Sequence, residues 1–263
     1  AMSAIGAIGV FDSGIGGLSI LKCLREALSS EAFVYFADSA YNPYGDKSDA
    51  EVIARSFTVT EELIAKHQIK ALVVACNTAT AAAIHLLRAR YPELAIVGIE
   101  PALKPAAAVT KTKRVAVLAT RGTLASEKFL TLKASLSDQA VFTCIPCIGL
   151  ANLIERYAAG EVEEAQVRAA CAGFLADAGA FDTLVLGCTH YALVEPTFRA
   201  LIGTDVAIVD NGAAVAKRLA TLLKALQDTA DEPIDDSITK SPRLQLTGSG
   251  SQTLLILAAQ RWL

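Results

Sequence analysis

Short apolar runs alternate with amphipathic stretches along most of the chain. Runs in which apolar and polar residues alternate, and runs that are apolar throughout, predict strands. They lie at 8–11, 32–37, 71–75, 95–99, 114–119, 140–145, 183–187 and 206–210. Helical patterns lie between them, as over 18–28, 50–67 and 79–91. Such alternation is typical of βαβ units with parallel strands and right-handed crossovers. The sequence therefore predicts an α/β fold whose ligands bind beyond the carboxyl ends of the strands.

The pattern repeats weakly within the chain. Residues 10–14 match 118–122 in position, the loop 37–45 matches 144–155, and the turn at Cys76 matches the turn at Cys188. We therefore expect two similar α/β domains with parallel sheets, related by a pseudo-twofold axis, and an active site in the cleft between them. The first domain is predicted to comprise residues 1–99 plus 210–263, and the second residues 100–209. We expect the strand at 244–246 and the helix after it to return to the first domain, and the polar stretch 227–243 to be a mobile connection.

Composition and charge narrow the possible functions. The chain has 263 residues, 53% of them hydrophobic, and a formal net charge of −3. This balance gives no electrostatic reason to expect a nucleic acid or an anionic membrane as partner. The sequence contains no uninterrupted apolar run of about 18 residues, and the first residues lack the pattern of a secretory signal. We therefore predict a globular cytoplasmic protein whose six cysteines are thiols.

Two of these cysteines stand in similar places. Cys76 and Cys188 each end a short apolar run and precede small polar residues and a helical pattern. A thiol at the start of a helix meets backbone N–H groups and the positive end of the helix dipole, which favour the thiolate. Two acid/bases that face one substrate are what proton exchange at a stereocentre requires, since one removes a proton and the other delivers one to the opposite face.

The remaining cysteines have simpler interpretations. Cys144 and Cys147 form a Cys-x-x-Cys motif, which suits a redox pair or half of a zinc site. The complementary half of a zinc site is missing from the sequence, so we favour inert thiols here, as for Cys23 and Cys171. A thiol redox protein that uses Cys144 and Cys147 stays an alternative.

Further polar residues cluster at predicted strand ends. Asp12 and Ser13 precede a glycine loop that lacks both the dinucleotide fingerprint and the lysine of a P-loop, although its amides could hold a carboxylate. Asp12 fits a helix cap and a catalytic helper equally well. His190 can share a proton with Cys188, whereas Glu155 alone is typical of a solvated helix residue. Neutral groups suited to a zwitterionic amino acid, or to helix caps, are supplied by Asn77, Thr78, Thr120, Thr123 and Thr189.

Six motifs in a fixed order carry a resemblance to a known family. They are Phe-Asp-Ser-Gly-Ile-Gly-Gly-Leu-Ser from residue 11, Pro-Tyr-Gly at 43–45, Ala-Cys-Asn-Thr-Ala at 75–79, Gly-Ile-Glu-Pro at 98–101, Ala-Thr-Arg-Gly-Thr at 119–123 and Gly-Cys-Thr-His-Tyr at 187–191. Between about Ile8 and Leu223 the chain resembles the glutamate racemases of the cofactor-independent aspartate/glutamate racemase superfamily. Two residues depart from the family pattern. Ala192 stands where the family usually has Pro, and Asn211 stands where it usually has Ser or Pro.

The resemblance implies a role for each matching residue. Cys76 would take the α-proton from D-glutamate and Cys188 would take it from L-glutamate. Asp12 would assist Cys76, His190 would assist Cys188, and Glu155 would belong to the same proton network. The substrate would be lined by Asp12, Ser13, Tyr44, Gly45, Asn77, Thr78, Thr120, Thr123, Thr189 and His190.

The same resemblance implies racemisation of glutamate without cofactor or metal, supply of D-glutamate for peptidoglycan, and a homodimer. Aspartate racemase, which applies the same chemistry to a shorter side chain, is the nearest alternative, although the Pro-Tyr-Gly and Cys-Asn-Thr-Ala segments favour glutamate. A regulatory binding protein is an alternative of another class, but it would leave both strand-end thiols unexplained.

Overall fold

The computed structural model describes residues 6–228 and 243–263. Within them the strands form a five-stranded sheet, in the order β4-β3-β1-β2-β9, and a four-stranded sheet, in the order β6-β5-β7-β8. The strands are β1 (Ile8–Asp12), β2 (Phe33–Ala37), β3 (Ala71–Val74), β4 (Ala95–Val97), β5 (Arg114–Ala119), β6 (Val141–Pro146), β7 (Thr183–Leu186), β8 (Ala207–Val209) and β9 (Leu244–Gly248). Every pairing among these strands is parallel, so the predicted α/β fold is confirmed.

Helices connect the strands. They are α1 (Leu18–Ala27), α2 (Asp49–His67), α3 (Asn77–Arg90), α4 (Leu103–Val109), α5 (Arg121–Ala125), α6 (Glu127–Ser135), α7 (Leu150–Ala158), α8 (Glu164–Ala176), α9 (Thr189–Leu193), α10 (Glu195–Ile202), α11 (Gly212–Asp228) and α12 (Gln252–Trp262). Two 3₁₀ turns, Ser39–Tyr41 and Tyr44–Asp46, interrupt the connection from β2 to α2. Among the described helices, none combines the length and the apolar character that crossing a membrane requires.

The two sheets share one topology. Read from its other edge, the second sheet has the order β8-β7-β5-β6, which matches β4-β3-β1-β2 of the first. The internal repeat predicted from the sequence is therefore present, with β1 equivalent to β5 and β3 equivalent to β7. The additional edge strand β9 pairs with β2, so the C-terminal strand joins the first sheet as expected.

Apolar cores hold these layers together. Residues alternate along β1, so that Ile8 and Val10 belong to the core on one face of the first sheet and Phe11 to the core on the other. The first of these cores continues into the second half of the chain, where it includes Leu118 and Tyr191. Burial of each large aliphatic side chain stabilises the fold by roughly 1.5–3 kcal/mol. The strand ends are therefore held firmly where the two sheets face each other.

Element bounds lie close to those predicted from the sequence. The strand predicted at 95–99 ends at Val97, and the strand predicted at 140–145 spans Val141–Pro146. The domain limits near residues 100 and 209 stay a prediction. Residues 229–242, most of the stretch predicted to be a mobile connection, lie outside the described residues.

Candidate active site

A cleft lies beyond the carboxyl ends of strands from both sheets. Its walls follow β1, β2 and β3 of the first sheet and β5, β6 and β7 of the second. Most of the residues predicted for the site line this cleft: Asp12, Ser13, Tyr44, Gly45, Cys76, Asn77, Thr78, Thr120, Cys188, Thr189 and His190. Parallel strands point their carboxyl ends to one edge, and the two halves turn these edges toward each other.

The two thiols occupy equivalent turns of the repeat. The residue before each cysteine extends a strand ladder, with Ala75 N–H donating to Phe11 at 2.8 Å and Gly187 N–H donating to Leu118 at 2.7 Å. Cys76 is the N-cap of α3, and its Sγ accepts a hydrogen bond from Ala79 N–H at 3.4 Å. Cys188 is the N-cap of α9. Both thiols thus stand at a helix start, as the sequence predicted.

The expected preference of Cys76 for the thiolate is wrong for the free protein. Burial raises the pKa of Cys76 well above its usual range, and the negative charge of Asp12 raises it further. Hydrogen bonds from the amides of Ala79 and Ser13 lower the pKa, but they do not offset these two effects. Cys188 also raises the pKa of Cys76, so the two sulfur atoms are within electrostatic reach of each other. Cys76 is therefore a thiol before substrate binds.

His190 joins three ionisable groups at the second thiol. Its Nε2 lies 2.6 Å from Glu155 Oε1, and its Nδ1 lies 3.9 Å from Cys188 Sγ and 4.0 Å from Asp12 Oδ2. Burial disfavours the charged imidazole, but the contacts with Cys188, Glu155 and Asp12 outweigh it and raise the pKa of His190 well above its usual range. The imidazole of His190 is therefore held between Glu155 on one side and Cys188 and Asp12 on the other.

Asp12 contacts the second half of the chain as well as the first. Its carboxylate accepts hydrogen bonds from Gly14 N–H at 3.1 Å and from the Thr189 hydroxyl at 3.3 Å. Burial raises the pKa of Asp12 despite the opposing influence of His190 and the loop amides. The N-cap of α1 is Gly17, so Asp12 is not the helix cap that the sequence left open. Asp12 therefore belongs to the cleft.

The glycine loop binds a carboxylate of the protein itself. Ile15 N–H donates to Glu155 Oε1 at 2.7 Å, and this same oxygen contacts His190. A Cβ atom on Gly14 would lie 1.9 Å from Glu155 Oε1, and one on Gly16 would lie 2.4 Å from His190 Nδ1. Only glycine permits this approach. Glu155 lies in α7 but is largely buried, so the interpretation of it as a solvated helix residue is wrong.

Threonine hydroxyls join the two halves across the cleft. Thr78 Oγ1 and Thr120 Oγ1 are 2.8 Å apart, and Thr120 is also the N-cap of α5. Thr123 is fully buried behind Thr120, to which its N–H donates at 3.2 Å. Thr123 therefore supports the wall of the cleft, whereas Thr78 and Thr120 form it.

Several residues of the cleft were not singled out from the sequence. Arg121 is the one Lys or Arg among the described residues that line it, and Asp46, Asn152 and Tyr191 line it too. The position of Arg121 directly after β5, inside a quoted motif, was the signal that could have found it. Cys147 also lines the cleft, but its thiol is buried in the core and burial raises its pKa, which fits the inert interpretation. Within the described residues, no cluster of His, Cys, Asp and Glu has the size of a metal site.

Comparison with known proteins identifies the class. The sequence model of the Asp/Glu/Hydantoin racemase family matches residues 8–219, so the chain belongs to that family and is a racemase, an isomerase. Relatives of the chain within the family include glutamate racemases. The enzyme of Pseudomonas aeruginosa is 49% identical over 223 residues, which cover 83% of this chain and 82% of that protein. The enzyme of Ectopseudomonas mendocina is 46% identical over 228 residues, or 86% and 85% of the two chains.

Solved structures agree with this grouping. Glutamate racemase of Escherichia coli, in complex with L-glutamate and the activator UDP-MurNAc-ala, matches with a TM-score of 0.83 at 29% identity, over 98% of this chain and 96% of that chain. A glutamate racemase of Bacillus anthracis matches with a TM-score of 0.82 at 31% identity, over 99% of this chain and 94% of that chain.

Proposed function

We propose that the enzyme interconverts L- and D-glutamate by a two-base mechanism that uses Cys76 and Cys188 and needs no cofactor. The observation that carries this proposal is the placement of the two thiols at equivalent helix starts of the two halves, on opposite walls of one cleft. The names of its relatives support glutamate as the substrate. Arg121, the one Lys or Arg among the described residues of the cleft wall, suits a substrate with two carboxylates.

Each direction of the reaction uses one sulfur as base and the other as acid. From D-glutamate, the Cys76 thiolate removes the α-proton and the Cys188 thiol protonates the opposite face. From L-glutamate the roles reverse. The bond from Cα to hydrogen breaks on one face as a new one forms on the other, so the enzyme ends with its single proton moved from one sulfur to the other.

Substrate binding supplies the positive charge that Cys76 needs to become a thiolate. Cys76 is held as a thiol by burial and by the charge of Asp12. A substrate ammonium group near Asp12 would offset that negative charge and lower the pKa of Cys76. Cys188 already has an imidazolium partner in His190, which Glu155 holds in place. The two thiols therefore have different neighbours: a carboxylate lies near Cys76, and an imidazole lies next to Cys188.

The hardest step is the formation of a carbanion beside a carboxylate. Oriented donors in a cleft that excludes water stabilise such charge without reorganising during the reaction. Asn77, Thr78 and Thr189 line the cleft with polar side chains, and Asn77 and Thr78 begin α3, whose first backbone N–H groups favour an anion. We therefore assign these groups to the carboxylate of the substrate.

The cellular part of the proposal is the supply of D-glutamate for peptidoglycan in a bacterial cytoplasm. The bacterial origin of the relatives supports it. A homodimer stays a prediction.

The activity is tested with purified protein. The protein is dialysed against chelator, and no pyridoxal phosphate is added. L-glutamate and L-aspartate are incubated separately, and loss of optical activity is followed by circular dichroism. Racemisation of glutamate at a rate far above that of aspartate is expected. Racemisation of aspartate alone would move the assignment to the shorter substrate, and no activity on either would refute the proposal.

A further inference from the structure

We propose that Asp38 is a positioning residue of the active site, through which the C-terminal segment holds the loop that carries Tyr44. This inference rests on the proposed function, because its readout is the binding of glutamate. Neither Asp38 nor the turn Gly248-Ser249-Gly250 lines the cleft, and both act through Tyr44.

Asp38 is a fully buried carboxylate whose two oxygens are both occupied. Arg55 of α2 donates to Oδ2 through Nε at 2.9 Å and to Oδ1 through Nη2 at 2.8 Å. The Tyr44 hydroxyl donates to Oδ2, and the Ser249 hydroxyl donates to Oδ1 at 2.6 Å. A buried charge with this many donors is fixed in one geometry, and it fixes its partners in turn.

Tyr44 connects this cluster to the substrate cleft. Tyr44 is buried and lines the cleft, and its hydroxyl donates to Asp38, which does not line it. The next residue, Gly45, packs so closely on the second half that a Cβ atom there would lie 2.8 Å from Thr120 Cβ. A shift of Tyr44 would therefore move the wall of the cleft at the contact between the two halves. Asp38 fixes the place of that wall.

The C-terminal segment reaches Asp38 through a turn that depends on two glycines. The pairing of β9 with β2 ends at Gly248 opposite Ala37, and Ser249 N–H then donates to Ala37 at 3.2 Å. A Cβ atom on Gly248 would lie 2.2 Å from the Ala37 carbonyl oxygen, and one on Gly250 would lie 2.7 Å from Ser39 Cβ. The Gly-Ser-Gly turn thus serves to bring the Ser249 hydroxyl to Asp38.

A double-mutant cycle tests whether Asp38 acts through Tyr44. The Asp38→Asn substitution places an amide NH₂ or a neutral oxygen where Tyr44 and Arg55 donate, and Tyr44→Phe removes the hydroxyl but keeps the ring. We expect each substitution to raise KM for glutamate about tenfold while kcat changes less than about threefold. A wall that only binds the substrate stabilises the bound substrate and the transition state equally, so its loss appears in KM. The double variant should show the KM of the worse single variant, because both substitutions break one connection.

Two serines of the same turn provide a matched pair. Ser249→Ala removes the hydrogen bond to Asp38, whereas Ser251→Ala removes the N-cap hydrogen bond of α12 to Leu254 N–H at 3.2 Å. Both should lower the melting temperature, but only Ser249→Ala should raise KM. This comparison separates positioning of the cleft from a general loss of stability, and it stands even where Asp38→Asn fails to fold.

Equal KM values for the Ser249→Ala, Ser251→Ala and unsubstituted proteins would overturn the inference. So would KM effects of Asp38→Asn and Tyr44→Phe that multiply in the double variant, because independent effects exclude a shared route. Absence of glutamate racemisation in the unsubstituted protein would instead refute the proposed function.

Discussion

Cys76 and Cys188 hold equivalent positions, yet their neighbours differ in charge. Cys76 stands near the carboxylate of Asp12, whereas Cys188 stands 3.9 Å from an imidazole that is itself paired with Glu155. Asp12 and His190 also approach each other to 4.0 Å, so the two thiols share one electrostatic network. Chemical symmetry of the reaction is therefore achieved with an asymmetric set of helpers.

Replacement of either thiol by serine should remove racemisation but leave exchange of the α-hydrogen of one enantiomer with solvent. We expect the rate to fall by at least about 10³-fold, because serine is a far weaker base near neutral pH. Cys188→Ser should still exchange the α-hydrogen of D-glutamate with solvent, and Cys76→Ser that of L-glutamate. NMR of each enantiomer in D₂O measures this exchange. Cys144→Ser, outside the cleft, is the control, and racemisation by either active-site variant at a tenth of the normal rate would contradict the two-base assignment.

Isotope effects should show which thiol Asp12 assists and which thiol His190 assists. The equilibrium constant of racemisation is one, so kcat/KM is equal in both directions for every variant and cannot show asymmetry. Asp12→Asn should increase the α-deuterium isotope effect mainly with D-glutamate, and His190→Asn mainly with L-glutamate, since each slows proton removal by its own thiol. Equal changes with both enantiomers would argue against separate pairing.

The raised pKa of Cys76 predicts the pH dependence of its reactivity. Only the thiolate is alkylated, and the fraction of thiolate at a given pH falls as the pKa rises. The rate of iodoacetamide labelling at Cys76, followed by peptide mass spectrometry, should therefore still be rising above the ordinary thiol pKa of about 8.5. A labelling rate that levels off below about pH 8 would contradict this, because it would show that the helix start lowers the pKa of Cys76 more than burial raises it.

At the scale of elements, the glycine loop between β1 and α1 sets how closely His190 and Glu155 can approach. A Cβ atom on Gly16 would lie 2.6 Å from the backbone nitrogen of His190, which has no freedom to move aside. Gly16→Ala should therefore lower kcat about 10²-fold through displacement of His190. Gly173 of α8 has open space around it, so Gly173→Ala should keep full activity and stabilise the helix by about 0.5–1 kcal/mol. Activity of Gly16→Ala close to that of the Gly173→Ala control would contradict this role of the loop.

Sequence patterns predicted elements and strand ends better than they predicted contacts. Cys76 and Cys188 could be found because a thiol after an apolar run is a local signal. The partner of the glycine loop could not, since Ile15 and Glu155 are 140 positions apart in the sequence and meet only in the folded chain. For the same reason the contact of Asp38 with Ser249, 211 positions apart, could not be predicted. Burial also reversed the expected ionisation of Cys76, because desolvation depends on the packed structure.

At the scale of the whole molecule, one repeated topology explains why a single cleft receives two thiols. The order β4-β3-β1-β2 recurs as β8-β7-β5-β6, and each half delivers a cysteine beside its central strand. Contacts such as Thr78 with Thr120 then join the halves at the cleft itself. The repeat was readable from the sequence, whereas the common core that unites both halves appeared only in the structure.

The most direct test of the two-thiol account follows deuterium during the first turnovers in D₂O. Starting from L-glutamate, NMR and chiral separation measure the isotope at Cα in each enantiomer. Two bases predict that the D-glutamate formed early carries solvent deuterium while the remaining L-glutamate stays protonated. Early D-glutamate that retains the original proton, or deuterium that enters L-glutamate at the same rate, would show that one base serves both faces and would contradict the account.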